Sequence, residues 1–224
     1  MTAQPEKRIA PMIRSLADAA ACLVALAGCA ILAGWLFDVP ALKFAPKGTI
    51  VQKANAAAGF ILCGASLWLT GRAGGRRRLP VAEMLAGLAA VIGALTLCEY
   101  LFGWDLGIDQ LLAREAPGAF KTSSPGRMAP NAALSFALLG TSLVLLHRRR
   151  GAPAASVMTV AAGIVALLAL MGYAYAAEAV QGIIATTTIA FHTALMFLLL
   201  SAGVLVALAD RGLMPVLDGA TPGG

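Results

Sequence analysis

Five side chains of this 224-residue sequence have the types to do polar chemistry within or beside long apolar runs: Asn55, Glu99, Tyr100, Asn131 and His192. An imidazole changes charge near neutral pH and can contact a ligand through either ring nitrogen. The two carboxamides each offer donors and an acceptor. Glu99 adds a carboxylate partner, and Tyr100, with Tyr173 and Trp35, an aromatic wall. Spacing ties three of them together. Asn55-Ala56-Ala57-Ala58-Gly59-Phe60, Asn131-Ala132-Ala133-Leu134-Ser135-Phe136 and His192-Thr193-Ala194-Leu195-Met196-Phe197 follow one pattern, Asn/His-x-Ala-x-x-Phe. The register continues through Leu62, Leu138 and Leu199, then small Gly64, Gly140 and Ser201, then Leu67, Leu143 and Val204. Matched positions of an internal repeat are expected at matched places in space. The five residues are therefore read as a small polar, ligand-binding pocket at one level. The competing reading is packing: Asn and His can hydrogen-bond between helices, and an Asn in a first helical turn can serve the backbone groups left open there.

Other chemistries find no support. Cys22, Cys29, Cys63 and Cys98 lie inside apolar runs without CxxC spacing, and read as small buried apolar residues rather than a disulfide framework. A metal site would have to draw on His192, Glu99 and Glu178, a sparse set of ligands. A bis-His haem would need His147, which stands beside Arg148, Arg149 and Arg150, at the opposite end from His192. The turn from Gly71 to Arg78 is basic but lacks the Lys-Ser/Thr of a phosphate loop, and neither GxSxG nor HExxH occurs. No catalytic activity is expected, and no cofactor is specified.

The elements that must position these residues follow from composition. Hydrophobic residues make up 59% of the chain and charged ones 12%, about half the usual charged share, and mean hydropathy is +0.82. A soluble globular enzyme, a disordered chain and a disulfide-rich secreted module are excluded. Six apolar stretches approach the roughly 20 residues that cross a bilayer: Leu16–Phe37, Ile50–Leu69, Val81–Gly103, Met128–Leu146, Ser156–Ala177 and Thr188–Ala209. In lipid such segments must be helical to satisfy their own backbone. One set of flanks carries Lys7, Arg8, Arg14, Arg72, Arg76, Arg77, Arg78, Arg148, Arg149, Arg150 and Arg211. The other carries Lys43, Lys47, Lys53, Arg114, Lys121 and Arg127. The positive-inside rule puts the richer set, and both termini, in the cytoplasm. There the arginines suit anionic headgroups, and nucleic acid is not the expected partner. Leu26-Ala27-Gly28-Cys29 matches a lipoprotein cleavage box, but the apolar run continues through Ile31, Leu32, Trp35 and Phe37, so an uncleaved helix is expected.

The odd stretches carry small residues at steps of four: Ala17, Ala21, Ala25, Cys29 and Ala33; Ala82, Ala86, Ala90, Ala94 and Cys98; and, less regularly, Ala162, Ala166 and Ala174. Such faces let helices approach closely. Trp35 and Phe37, then Tyr100, Phe102 and Trp104, then Tyr173 and Tyr175 close these stretches as an interfacial aromatic belt. The expected fold is an all-α polytopic bundle of six transmembrane helices, built as three repeated hairpins around a pseudo-threefold axis. Its parts are a cytoplasmic segment 1–15, a membrane domain 16–209 with hairpins at about 16–70, 81–147 and 156–209, and a cytoplasmic tail 210–224. The extracytoplasmic loop 104–127 includes a short amphipathic stretch, Leu106–Leu112, expected to lie along the membrane surface.

Two segments resemble a known group. Glu99-Tyr100-Leu101-Phe102-Gly103-Trp104-Asp105-Leu106-Gly107-Ile108-Asp109-Gln110-Leu111-Leu112 and Gly126-Arg127-Met128-Ala129-Pro130-Asn131-Ala132-Ala133-Leu134-Ser135-Phe136 are similar to the multi-pass amino-terminal membrane region of bacterial PAS-containing sensor histidine kinases. Asp210-Arg211-Gly212-Leu213-Met214 is also similar to that group. The resemblance implies a sensory membrane module but supplies no agreed ligand. Family members continue into further helices and output domains, whereas this chain stops at Pro222-Gly223-Gly224. It is expected to be either part of a longer protein or a free-standing relative that works through a membrane or cytoplasmic protein partner, or through a homo-oligomer. The alternatives are an accessory subunit of a membrane complex and, ranked last, a small transporter or channel.

Overall fold

A computed structural model describes residues 6–43, 50–71, 78–115, 124–146, 148, 151–175 and 189–219. Among them the chain is all-helical, with α1 (Glu6–Leu36), α2 (Ala54–Gly71), α3 (Arg78–Phe102), α4 (Pro130–Leu145), α5 (Ala152–Tyr175) and α6 (Phe191–Gly219). Among the described residues, five helices, all but α4, are long and apolar enough to cross a membrane. The protein is a multi-pass membrane protein in contact with the lipid bilayer. α1 starts at Glu6 and α6 runs to Gly219, so the expected terminal segments 1–15 and 210–224 are helical over much of their length. Arg148 is described, whereas Lys47, Arg72, Arg76, Arg77, Lys121, His147, Arg149, Arg150, Glu178 and the last five residues lie outside the described residues.

The helices sort by side-chain size rather than polarity. On α3, Val81, Met84, Leu88, Val91 and Leu95 face outward, while Ala82, Ala86, Ala89, Gly93 and Thr96 are buried. Both sets recur every three to four residues, so large aliphatics meet lipid and small residues meet protein. The outer helices α1, α3 and α5 surround the inner α2, α4 and α6, which touch one another. At their meeting point Phe60, Phe136 and Phe197 are wholly buried, with ring centroids 4.5–4.9 Å apart. α1 also packs on α6, closing the ring, and Arg14 donates to Asp210 at 2.9 Å, so the start of α1 and the end of α6 share one end of the bundle.

α4 has 16 residues, ~24 Å of helix against the ~30 Å of a hydrocarbon core. Pro130 at its first turn supplies a preset φ and no N–H, which suits a helix start. Met128, Ala129 and Leu146 flank it and are buried too. The apolar stretch read from the sequence, Met128–Leu146, is therefore helical except at its two ends, with Leu134 its one exposed large side chain. Four neighbours, α2, α3, α5 and α6, pack on α4, so its length need not match the bilayer.

Close approach follows the small residues. A Cβ on Gly64 would lie 2.7 Å from the Ala21 carbonyl oxygen and 2.9 Å from the Ala25 Cβ; one on Gly140 would lie 2.6 Å from the Ala86 oxygen and 2.8 Å from the Ala90 Cβ. From the other side, Gly28 abuts the Ala57 carbonyl and Gly93 the Ala133 carbonyl, at 2.8 and 2.5 Å by the same measure. Between α5 and α6 the roles are exchanged: Ser201 stands on the inner helix, and Gly163 faces it from α5 at 3.5 Å.

Candidate functional site

Asn55, Asn131 and His192 are each the second residue of an inner helix. Their local chemistry differs from a shared pocket. Asn55 Oδ1 accepts from the Ala56 N–H at 2.8 Å, and Asn131 Oδ1 accepts from the Ala132 N–H at 3.0 Å. Each oxygen thus serves a backbone donor that a helix start leaves open. The Asn55 carboxamide is buried and its Nδ2 has no acceptor. His192 is half-buried beside Phe191, whose ring meets Tyr173 edge-on at 5.6 Å.

The residue that sequence reasoning missed at this level is Gln52. It is 2% exposed, its Oε1 accepts from Thr193 on α6 at 2.9 Å, and its Nε2 has no acceptor. A signal existed: it stands three residues before Asn55, where Met128 and Ile189 stand before Asn131 and His192. A polar residue in an otherwise apolar register is the kind of exception that marks a membrane site.

The backbone carbonyls of those three residues share a second feature. Trp35 Nε1 donates to the Gln52 carbonyl at 2.9 Å, Tyr100 OH to that of Met128 at 3.0 Å and Tyr173 OH to that of Ile189 at 2.6 Å. These aromatics turn inward to tie the outer helices to the inner ones. Phe37, Phe102 and Trp104 are the exposed members of the expected belt.

Glu99 and Tyr100 belong to a different constellation, built with the loop that follows α3. Gly103, at φ +66°, ends the helix in the left-handed conformation glycine supplies without strain. The chain then turns back, and the Leu106 N–H donates to Glu99 Oε1 at 3.0 Å. Residues 103–115 are irregular rather than helical, so the expected amphipathic stretch is a side-chain-tethered loop with Leu106, Leu111 and Leu112 exposed. Arg127 Nε donates to Asp109 Oδ2 at 2.6 Å and lies 3.5 Å from Glu99 Oε2. Its guanidinium also covers the Tyr100 ring at 5.4 Å, a cation–π contact. Gly126 makes room for this approach: at φ +77°, its Cβ position is 2.5 Å from the Asp109 carbonyl.

Burial pushes the Asp109 carboxyl above its ordinary pKa, outweighing the pull of Arg127. Burial works against the Arg127 cation, yet the Asp109 hydrogen bond and the carboxylates around it hold its pKa above the usual value. A second tether lies beside this one. Buried Lys53 pairs with Glu115, whose other oxygen accepts from the Gly126 N–H at 2.6 Å. The short connection after α1 closes in its own way: Lys43 pairs with Asp38, which holds that carboxyl below its usual range, and covers the Trp35 ring at 4.7 Å.

Three groups emerge from the five expected site residues. Glu99 and Tyr100 meet around Arg127, Asn55 and Asn131 each accept from the next backbone N–H in the first turn of their own helix, and His192 flanks Thr193, which reaches Gln52. Among the described residues no group of three or more His, Cys, Asp or Glu is placed to hold a metal ion. The chain matches no protein-family model, no curated protein and no solved structure.

Proposed function

We propose that this chain is a non-enzymatic sensory module of a bacterial inner membrane, with six crossing helices in three repeated hairpins and both ends cytoplasmic. Its ligand is a small molecule presenting hydrogen-bond acceptors, held on the outer side of the phenylalanine cluster. The observation that carries this reading is the pair of buried amide nitrogens, Gln52 Nε2 and Asn55 Nδ2, left without acceptors. A buried unmade donor costs about 1–3 kcal/mol, and a carbonyl or carboxylate placed between them recovers it. The starts of α2, α4 and α6 add a field that favours such an oxygen. His192 and Asn131 stand at the matching positions of the other two inner helices.

The repeat is supported by contacts that recur at matched positions: the phenylalanine cluster, the three aromatic-to-carbonyl bonds and the glycine approaches. Ser66 donates to the Ala82 carbonyl at 2.8 Å and Ser142 to the Ala155 carbonyl at 2.9 Å, each reaching the next outer helix. Gly203, at the corresponding place on α6, meets Ala20 of α1. A cytoplasmic side for the two ends is supported by the arginine-rich flanks, and their lying on the same side by the Arg14–Asp210 pair, which joins the first and last helices. Ligand binding between inner helices would shift their packing and reach the output side through that pair, which requires different affinity for two arrangements.

The accessory-subunit reading is favoured by one observation, the use of both Asn oxygens to accept from the next backbone N–H. Purification in mild detergent followed by native mass spectrometry and absorption spectroscopy separates the two. Gln52→Leu, Asn55→Leu and His192→Ala are expected to lose a co-purifying small molecule that Ser142→Ala retains. Equal retention in all four, with differences in stability alone, would make the polar layer a packing device.

A further inference from the structure

The outer loop is pinned by a charge set that does not balance as drawn. Glu99 and Asp109 are 1% and 7% exposed, and among the described residues the cation that contacts both is Arg127. Two of the four oxygens accept hydrogen bonds, Glu99 Oε1 from Leu106 and Asp109 Oδ2 from Arg127, while Glu99 Oε2 has only the longer ion-pair contact with Arg127. Glu99 Oε2 and Asp109 Oδ1 are buried and have no hydrogen-bond donor. Both carboxyl groups lie against the same nitrogen, Arg127 Nε, at 3.5 Å and 2.6 Å. Two buried carboxylates sharing one site cannot both stay ionised cheaply, and one proton between them removes the conflict. The other groups around them do not supply it. The Asp105 carboxylate, turned to the Gly107 N–H, adds negative charge, the Tyr100 hydroxyl is committed to the Met128 carbonyl, and Lys53 is neutralised by Glu115.

We propose that Glu99 and Asp109 form a proton-binding site that latches the outer loop: one proton, taken from the outer aqueous phase, bridges Glu99 Oε2 and Asp109 Oδ1, and its return to water as pH rises frees segment 103–110 from α3. With the proton bound, the set is one carboxylic acid, one carboxylate and one guanidinium, neutral overall. Without it, a net negative charge is buried at the membrane boundary, and Asp109 can relieve it by moving out to water together with Arg127 and the loop. The raised pKa of Asp109 agrees in sign: stabilisation is present at low pH and lost as pH rises through the folded-state value. The inference stands apart from the ligand reading, because neither Gln52 nor Asn55 takes part.

The test is a pH titration of the full chain in phosphatidylcholine nanodiscs, with protons as the only probe. Two signals are followed: hydrogen exchange of segment 103–110, relative to unstructured peptide at the same pH, and the infrared carbonyl band of a protonated carboxyl group. In wild type the band disappears as pH rises, and relative exchange in the segment increases at least tenfold over the same interval. Glu99→Gln keeps the segment protected throughout, because a carboxamide donates permanently to Asp109 Oδ1. Asp109→Asn does the same from the other side while still accepting from Arg127, and covers the case in which Glu99→Gln does not fold. A carboxyl band that never titrates, or exchange in either folded variant that follows wild type, overturns the proposal.

Discussion

The first two helix pairs and the third solve one packing problem in opposite ways. In α1–α2 and α3–α4 the inner helix carries the glycine, Gly64 or Gly140, and the outer carries alanine, Ala25 or Ala90. In α5–α6 the inner helix carries Ser201 and the outer carries Gly163. What is kept is the combined bulk at the crossing point, not the identity of either residue. Lipid tails are as apolar as the helices, so tight contact rather than expulsion from water holds such pairs together. The exchange also loosens the third pair, where Gly163 has room at 3.5 Å that Gly64 and Gly140 lack.

The comparison can be broken most forcefully at its centre. Phe136→Ala should cost ~3 kcal/mol, the low end for a core phenylalanine because lipid tolerates the lost apolar surface. Phe60→Ala and Phe197→Ala should cost the same when unfolding is followed in mixed micelles of rising SDS content. A loss confined to one of the three would show that the three rings do not contribute equally to the cluster. Glycine substitutions sharpen the contrast between pairs. Gly140→Ala should destabilise by about 1–3 kcal/mol, since a backbone oxygen must move. Gly163→Ala should be neutral or slightly stabilising by the same measurement, because the new methyl meets ordinary contact and alanine favours helix.

Hydrogen-bond deletions should have smaller effects and level the pairs again. Tyr100→Phe and Tyr173→Phe should each cost about 1 kcal/mol, and Ser66→Ala and Ser142→Ala about 0.6 kcal/mol, by the same unfolding assay. The smallest contrast lies between the connections after α1 and α3, and pH should separate them. Asp38 is held low by Lys43, so that contact is present above the ordinary Asp range and is lost as pH falls through the lowered value. Asp109 has the opposite sign, so segment 103–110 loosens as pH rises instead. Hydrogen exchange at residues 38–43 and 103–110 should move in opposite directions on acidification.

Helix number, the small faces and the place of Asn55, Asn131 and His192 at the start of an inner helix were legible because each depends on periodicity along one chain segment. α4 was legible as an apolar stretch but not in its helical length, which Pro130 and its enclosure decide. The partners of Glu99 were not legible. They are chosen by the return of the loop, which turns on left-handed Gly103 and Gly126, and nothing in the local pattern around Glu99 points to Arg127. Gln52 was legible only by aligning what precedes the repeated pattern, a step beyond the helices themselves.

The bonds from Trp35, Tyr100 and Tyr173 to the carbonyls ahead of the inner helices all run within a pair, as do the approaches at Gly28, Gly64, Gly93, Gly140 and Gly163. A nascent chain entering the bilayer two helices at a time can therefore complete its own exposed backbone ends before the following helices are synthesised. The serine bonds of Ser66 and Ser142 cross to the next pair and so need that pair's outer helix, and the contact of Gly203 with Ala20, which closes the ring, needs α6 to have been made.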